Sequence, residues 1–217
     1  MRCFVIGNGI SLQAADLDLI TGQPSIACNR ISLIYPVTRW RPTIYVHPES
    51  FAPDMPFIRE HVEMGIECYI GERYAAPPAG IYDLPDAPNI HWIKECHHWY
   101  ENFDSRELPD EWHLPQLCSF GGSVNVAMQV AALQGFDEII LLGCDLKYRD
   151  RKPSHFDKRY EHGGEQPAFY QIKNALFGHI QALNWIRRKN KNIKVYNATR
   201  GGLLEVWERL NLDEICQ

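Results

Sequence analysis

The sequence lacks the short signatures that would assign a nucleotide site on sight. No G-x-x-x-x-G-K-[ST] occurs, which excludes a P-loop, and no G-x-S-x-G occurs, which disfavours an α/β-hydrolase. The glycine cluster Gly7-Asn8-Gly9 is followed by Leu12, where a dinucleotide fingerprint needs its third glycine. The second apolar run ends in Asn29 rather than in the acid that would hold a ribose diol. No CxxC pair is present, and no cysteine–histidine spacing fits a structural zinc. The adjacent His97 and His98 would point apart on a strand, so no metal site is expected there.

Excess positive charge is also missing. Lys and Arg number 22 against 27 Asp and Glu, a net charge of −5, so binding of nucleic acid by charge is not expected. The most basic stretch, "RRKNKNIK" at 187–194, reads as the polar end of a helix running into a strand. No apolar run approaches the roughly 18 residues of a membrane span, and no signal-peptide pattern precedes the first strand; a cytoplasmic location is expected. The 7 cysteines are scattered and mostly lie in apolar runs, as buried thiols of a reducing compartment would.

What is present is strand–helix alternation. Short apolar runs at 2–7, 24–29, 42–47, 66–71, 90–95, 138–146 and 193–198 read as buried parallel strands. Helical spacing is clearest at 123–135, opened by Ser123 and closed at Gly135, and at 168–189. The 217 residues and 45% hydrophobic content suit one sizeable domain over 1–217, with a Rossmann-like, doubly wound, mostly parallel sheet. Residues 72–89 are proline-rich and read as a surface connection. Residues 147–167, "KYRDRKPSHFDKRYEHGGEQP", follow a strand's carboxyl end and read as a lid with little apolar surface to bury. Ligands of such sheets sit beyond the carboxyl ends of the strands. Those ends carry Gly7-Asn8-Gly9, Cys28-Asn29-Arg30, His47-Pro48-Glu49 and Asp145-Leu146-Lys147-Tyr148.

The segments "IGNGISL", "CN" at 28–29, "YVHPE" at 45–49, "GGSVNVAMQVAALQGFDEIILLGCDLKY" at 121–148 and "SHFD" at 154–157 together resemble the bacterial sialyltransferase family typified by the Campylobacter lipooligosaccharide enzymes. They are also similar to a related domain family that includes archaeal 6-hydroxymethylpterin diphosphokinases. The resemblance covers most of the chain and is weakest at 72–115. It implies a metal-independent glycosyltransferase with a CMP-linked nucleotide sugar as donor and a glycan or related acceptor. By position it implies that Gly7, Asn8 and Gly9 approach the donor phosphate and that Asn29 bonds the nucleotide or sugar. His47 stands where the family has asparagine. Ser123, supported by Gly122, would contact the donor, and Lys147 or Tyr148 would steady the leaving phosphate.

Transfer from such a donor needs stabilisation of the leaving phosphate and removal of the acceptor's proton. Gly9, Ser11, Ser123, Lys147 and Tyr148 supply amide, hydroxyl, ammonium and phenol donors for the first. Histidine suits the second. His155, with Asp157 near enough in sequence to orient it, is the first choice and His162 the second. Asp145 reads either as a structural acid bonded to loop amides or as part of the site. Two alternatives stand beside this reading. One is an ATP- and Mg²⁺-dependent diphosphokinase using Asp145, Asp150 and Glu49; the other is a nucleotide-binding module without catalysis. Oligomeric state is left open.

Overall fold

The computed structural model describes residues 1–49, 51–96, 112–119, 122–148, 154–160, 168–189 and 191–216, with backbone alone at 95, 96 and 168. All seven expected runs form strands: β1 (Arg2–Ile6), β2 (Ser25–Cys28), β3 (Ile44–His47), β4 (Glu67–Gly71), β5 (Ile90–Cys96), β7 (Glu138–Leu142) and β8 (Lys194–Asn197). Two short strands join them, β6 (Gln116–Cys118) and β9 (Glu208–Arg209). Among the described residues, nine strands make one sheet in the order β6-β5-β4-β3-β2-β1-β7-β8-β9, and each strand pairing in it is parallel. An α/β, Rossmann-like sheet is therefore what the apolar runs build.

Alternation along β1 and β7 divides the core between the two faces of the sheet. Cys3, Val5, Ile139 and Leu141 pack with Val126, Met128 and Val130 of α3 (Ser123–Leu133) and with Trp185 and Ile186 of α4 (Ala168–Arg188). On the other face Phe4, Ile6, Ile140 and Leu142 meet Leu17 of α1 (Ala14–Leu19), Ile58 of α2 (Met55–Glu63) and Leu212 of α5 (Leu212–Ile215). α3 lies across β1, β2 and β3. Its Gln129 side chain accepts from the Cys118 N–H at 3.1 Å and donates to the Cys118 carbonyl at 2.6 Å, standing in for a neighbouring strand at the end of edge strand β6. Among the described residues, no helix is long and apolar enough to cross a membrane.

The expectation of seven thiols is corrected at Cys118, which is disulfide-bonded; its register partner on β5 is Cys96. Cys3, Cys28, Cys68, Cys144 and Cys216 are free thiols. Strand order reverses direction at β1, which has β2 on one side and β7 on the other. That switch point opens a crevice between two outgoing loops, and the site forms there.

Candidate functional site

The loop after β1 is buttoned to the loop after β7. Gly7 N–H donates to the Leu142 carbonyl and Gly9 N–H to the Gly143 carbonyl, each at 2.8 Å. Ser11 donates to Asp145 Oδ2 through its hydroxyl at 2.8 Å and its amide at 3.3 Å, and Leu12 N–H closes onto the Gly9 carbonyl at 3.1 Å. The Gly7, Gly9 and Ser11 amides are thereby engaged in joining the two loops. A Cβ on Gly9 would stand 1.9 Å from Asp145 Oδ2 and 2.6 Å from the Gly143 oxygen. Gly9→Val is accordingly expected to cost about 1–3 kcal/mol of stability with no ligand present. Denaturant unfolding measures it, and unchanged stability would mean that the two loops do not need this contact.

Above this floor lies a cavity of about 300 Å³, bounded by the ends of β1, β2 and β7, the start of α3, residues 154–160 and one face of α4. Gln171, Asn174, Ala175 and His179 line it at helical spacing. α4 approaches α3 closely at Gly178, where a Cβ would sit 1.9 Å from Asn125 Nδ2. Two non-glycine residues at the rim have left-handed backbone, Asn29 (φ 55°) and Leu146 (φ 49°). Such conformations persist where surrounding contacts impose them, often at binding sites.

Four lining residues carry buried side-chain oxygens without a partner: Asn8 Oδ1, Asn29 Oδ1, Ser123 Oγ and Asn125 Oδ1. The amide orientation is set at Asn8, whose Nδ2 donates to the Cys28 carbonyl at 2.9 Å, and at Asn125, whose Nδ2 donates to the Ser119 carbonyl at 3.1 Å. Each unmatched buried polar atom costs about 1–3 kcal/mol. Lys147, exposed at the rim, is the one lysine or arginine among the described lining residues. The first turn of α3 adds the partial positive charge of a helix N-terminus.

Burial sets the titration of the walls. It pushes the Cys28 thiol up to about 12 and raises the Cys144 thiol and the Tyr148 and Tyr160 phenols well above their ordinary values. It lowers His179 to about 4. Trp207 Nε1–H donates to His179 Nδ1 at 3.1 Å, so the neutral ring carries its proton on Nε2. The His155 ring stacks on Tyr160 with centroids 3.8 Å apart and meets Tyr148 edge-on at 6.4 Å.

Of the residues singled out in the sequence, Gly7, Asn8, Gly9, Asn29, Gly122, Ser123, Asp145, Lys147, Tyr148 and His155 line the cavity. Ser11 lies on its floor through Asp145. His47 does not reach it: the ring is buried on the opposite side of the β3 end, with Nε2 2.9 Å from Asp54 Oδ2. Asp157 bonds Arg159, at 2.6–3.1 Å, and not His155. His162 and Asp150 lie outside the described residues. Within the segment read as a lid, residues 154–160 lie against the β1 loop: His155 bridges Gly9, and Phe156 N–H donates to the Asn8 carbonyl at 3.1 Å. Sequence reading passed over Asn125, Gln171, Asn174 and Tyr160. Glu49, weighed only for metal binding, also lines the cavity. Asn125 alone left a trace, being one of two amides spaced i, i+4 in an otherwise apolar helix. Among the described residues, no group of three or more His, Cys, Asp or Glu is placed to hold a metal ion.

No protein-family model and no curated protein matches the chain. Its fold is similar to that of the MAf glycosyltransferase from Magnetospirillum magneticum AMB-1, with a TM-score of 0.57 and 18% sequence identity. The match covers 98% of this chain and 34% of the other, so the chain spans about a third of that neighbour's length.

Proposed function

We propose that the chain is a glycosyltransferase, sialyltransferase-like, that takes a CMP-linked nucleotide sugar in this cavity and needs no metal. The observation that carries the reading is the cavity's lining, in which Asn8, Asn29, Ser123 and Asn125 stand beside Lys147 and the α3 N-terminus. Carboxamides and a serine hydroxyl suit the hydroxyls of a sugar, and the cation with the helix start suits a phosphate. The likeness to a glycosyltransferase fold supports the same reading.

In the transfer, the acceptor's hydroxyl oxygen bonds to the sugar's anomeric carbon as the bond from that carbon to the phosphate oxygen breaks. His155 takes the hydroxyl proton. Charge developing on the departing phosphate is met by the Lys147 ammonium, the Tyr148 phenol and the first amides of α3. Burial holds Tyr148 protonated, which keeps it a donor. Asp145, fixed by Ser11, shapes the floor beneath the phosphate.

Thermal shift with CMP, UDP, GDP and ATP, each with EDTA or with Mg²⁺, tests the proposal. CMP is expected to raise the melting temperature in EDTA. Asn29→Gly, which accepts the positive φ, is expected to weaken CMP binding about two- to tenfold at unchanged unliganded stability. A shift that requires ATP and Mg²⁺ together would turn the assignment to the diphosphokinase. Silence with every nucleotide would leave a module without this ligand.

A further inference from the structure

Arg30 follows the rim residue Asn29 and is buried, yet it does not line the cavity. Its Nε donates to Asp54 Oδ1 at 2.7 Å, and Asp54 Oδ2 is held by His47 Nε2. Nη1 reaches in the other direction, to the carbonyls of Arg159 at 3.3 Å and Tyr160 at 3.1 Å. The guanidinium lies between rings, 5.4 Å from the centre of Phe57, 5.7 Å from Phe51 and 5.8 Å from Tyr160. Tyr160 is thus held at its backbone by Arg30 and at its phenol by Asn8 Nδ2 (3.3 Å), and its ring face carries the His155 imidazole at 3.8 Å and 14°.

From this chain of contacts we infer that Arg30 is a positioning residue for His155, acting through Tyr160. The inference rests on the role given to His155 above. Backbone pairing with Gly9 fixes where residue 155 sits, while the Tyr160 face fixes how its ring is turned. Arginine is required because its planar fork binds Asp54 and the two carbonyls at once. A lysine ammonium is a single point of charge and would keep the Asp54 pair while releasing the carbonyls. The His47–Asp54 pair, on the far side of the guanidinium from the cavity, holds the fork at its angle. His47, read from the sequence as a ligand contact, becomes the outer end of this clasp.

Histidine-labelled protein read by NMR tests the inference without turnover, with the His155 signals assigned by their loss in His155→Gln. In the native protein the His155 ring protons are expected upfield, under the Tyr160 ring current. Tyr160→Phe should retain that shift. Arg30→Lys and Tyr160→Leu should lose it. In transfer assays Arg30→Lys is expected to lower kcat about 100-fold with little change in donor KM, the mark of a misplaced reacting group. Tyr160→Leu leaves the Arg30–Asp54 pair intact and decides the matter if Arg30→Lys does not fold. Folded variants with native His155 signals and native kcat would overturn the inference, whatever their melting temperatures. Absence of transfer by the native protein would count against the transferase reading alone, because the ring signals need no turnover.

Discussion

Replacing His155 by alanine is expected to lower single-turnover transfer by about 100- to 10,000-fold, the range for a lost general base, with nucleotide affinity nearly unchanged. The expectation rests on placement. The ring lies at the cavity between Tyr148 and Tyr160, on a backbone pinned to Gly9. The groups given to the nucleotide, Asn29 and Ser123, lie just past the end of β2 and at the start of α3 instead. His162→Ala is the control for the second histidine of the same segment. If that variant alone loses transfer, the base has been misassigned. If both retain it, the deprotonation step does not use this segment at all.

Removing Asp54 is expected to cost about 3–5 kcal/mol, since Asp54→Ala strands the Arg30 guanidinium without its counter-charge in a buried site. The effect has a defined pH dependence. Burial alone would raise the Asp54 carboxyl, but its bonds to His47 and Arg30 outweigh this and hold it below the ordinary carboxylate value. A carboxyl with a depressed folded-state pKa contributes stability above its unfolded pKa of about 3.9. That contribution is lost as pH falls through the folded value. Urea unfolding of native protein and Asp54→Ala should therefore show a gap at neutral pH that narrows below about pH 4. A gap under about 1 kcal/mol at neutral pH would show that the pair is not desolvated as described.

The sheet was legible because parallel strands buried on both faces are continuous apolar runs, and "CFVI" and "EIILL" are such runs. β6 and β9 were not, since Gln116–Cys118 and Glu208–Arg209 are too short and too polar to stand out from a loop. The rim residues were legible for a topological reason: carboxyl ends of parallel strands meet at one edge, so Asn8, Asn29 and Asp145 could be grouped from the strands alone. The same rule misled at His47. It locates a strand end but not the direction of a side chain, and this one turns to Asp54, for which no sequence pattern exists. The α4 contribution was hidden because Gln171 and Asn174 look like any polar residues on a half-exposed helix. Only the close approach of Gly178 to Asn125 brings that face to the cavity.

The shifted groups in the cavity wall have a consequence for any pH–rate profile. His179 gives up its charge near pH 4, while Cys28, Cys144, Tyr148 and Tyr160 hold their protons far into alkali. Across the neutral range these five groups form an electrically silent background. An inflection there cannot come from them, and the Nε2–H of His179 stays a hydrogen-bond donor throughout. Whatever in the ligand accepts that bond would be recognised equally well in mild acid and mild base.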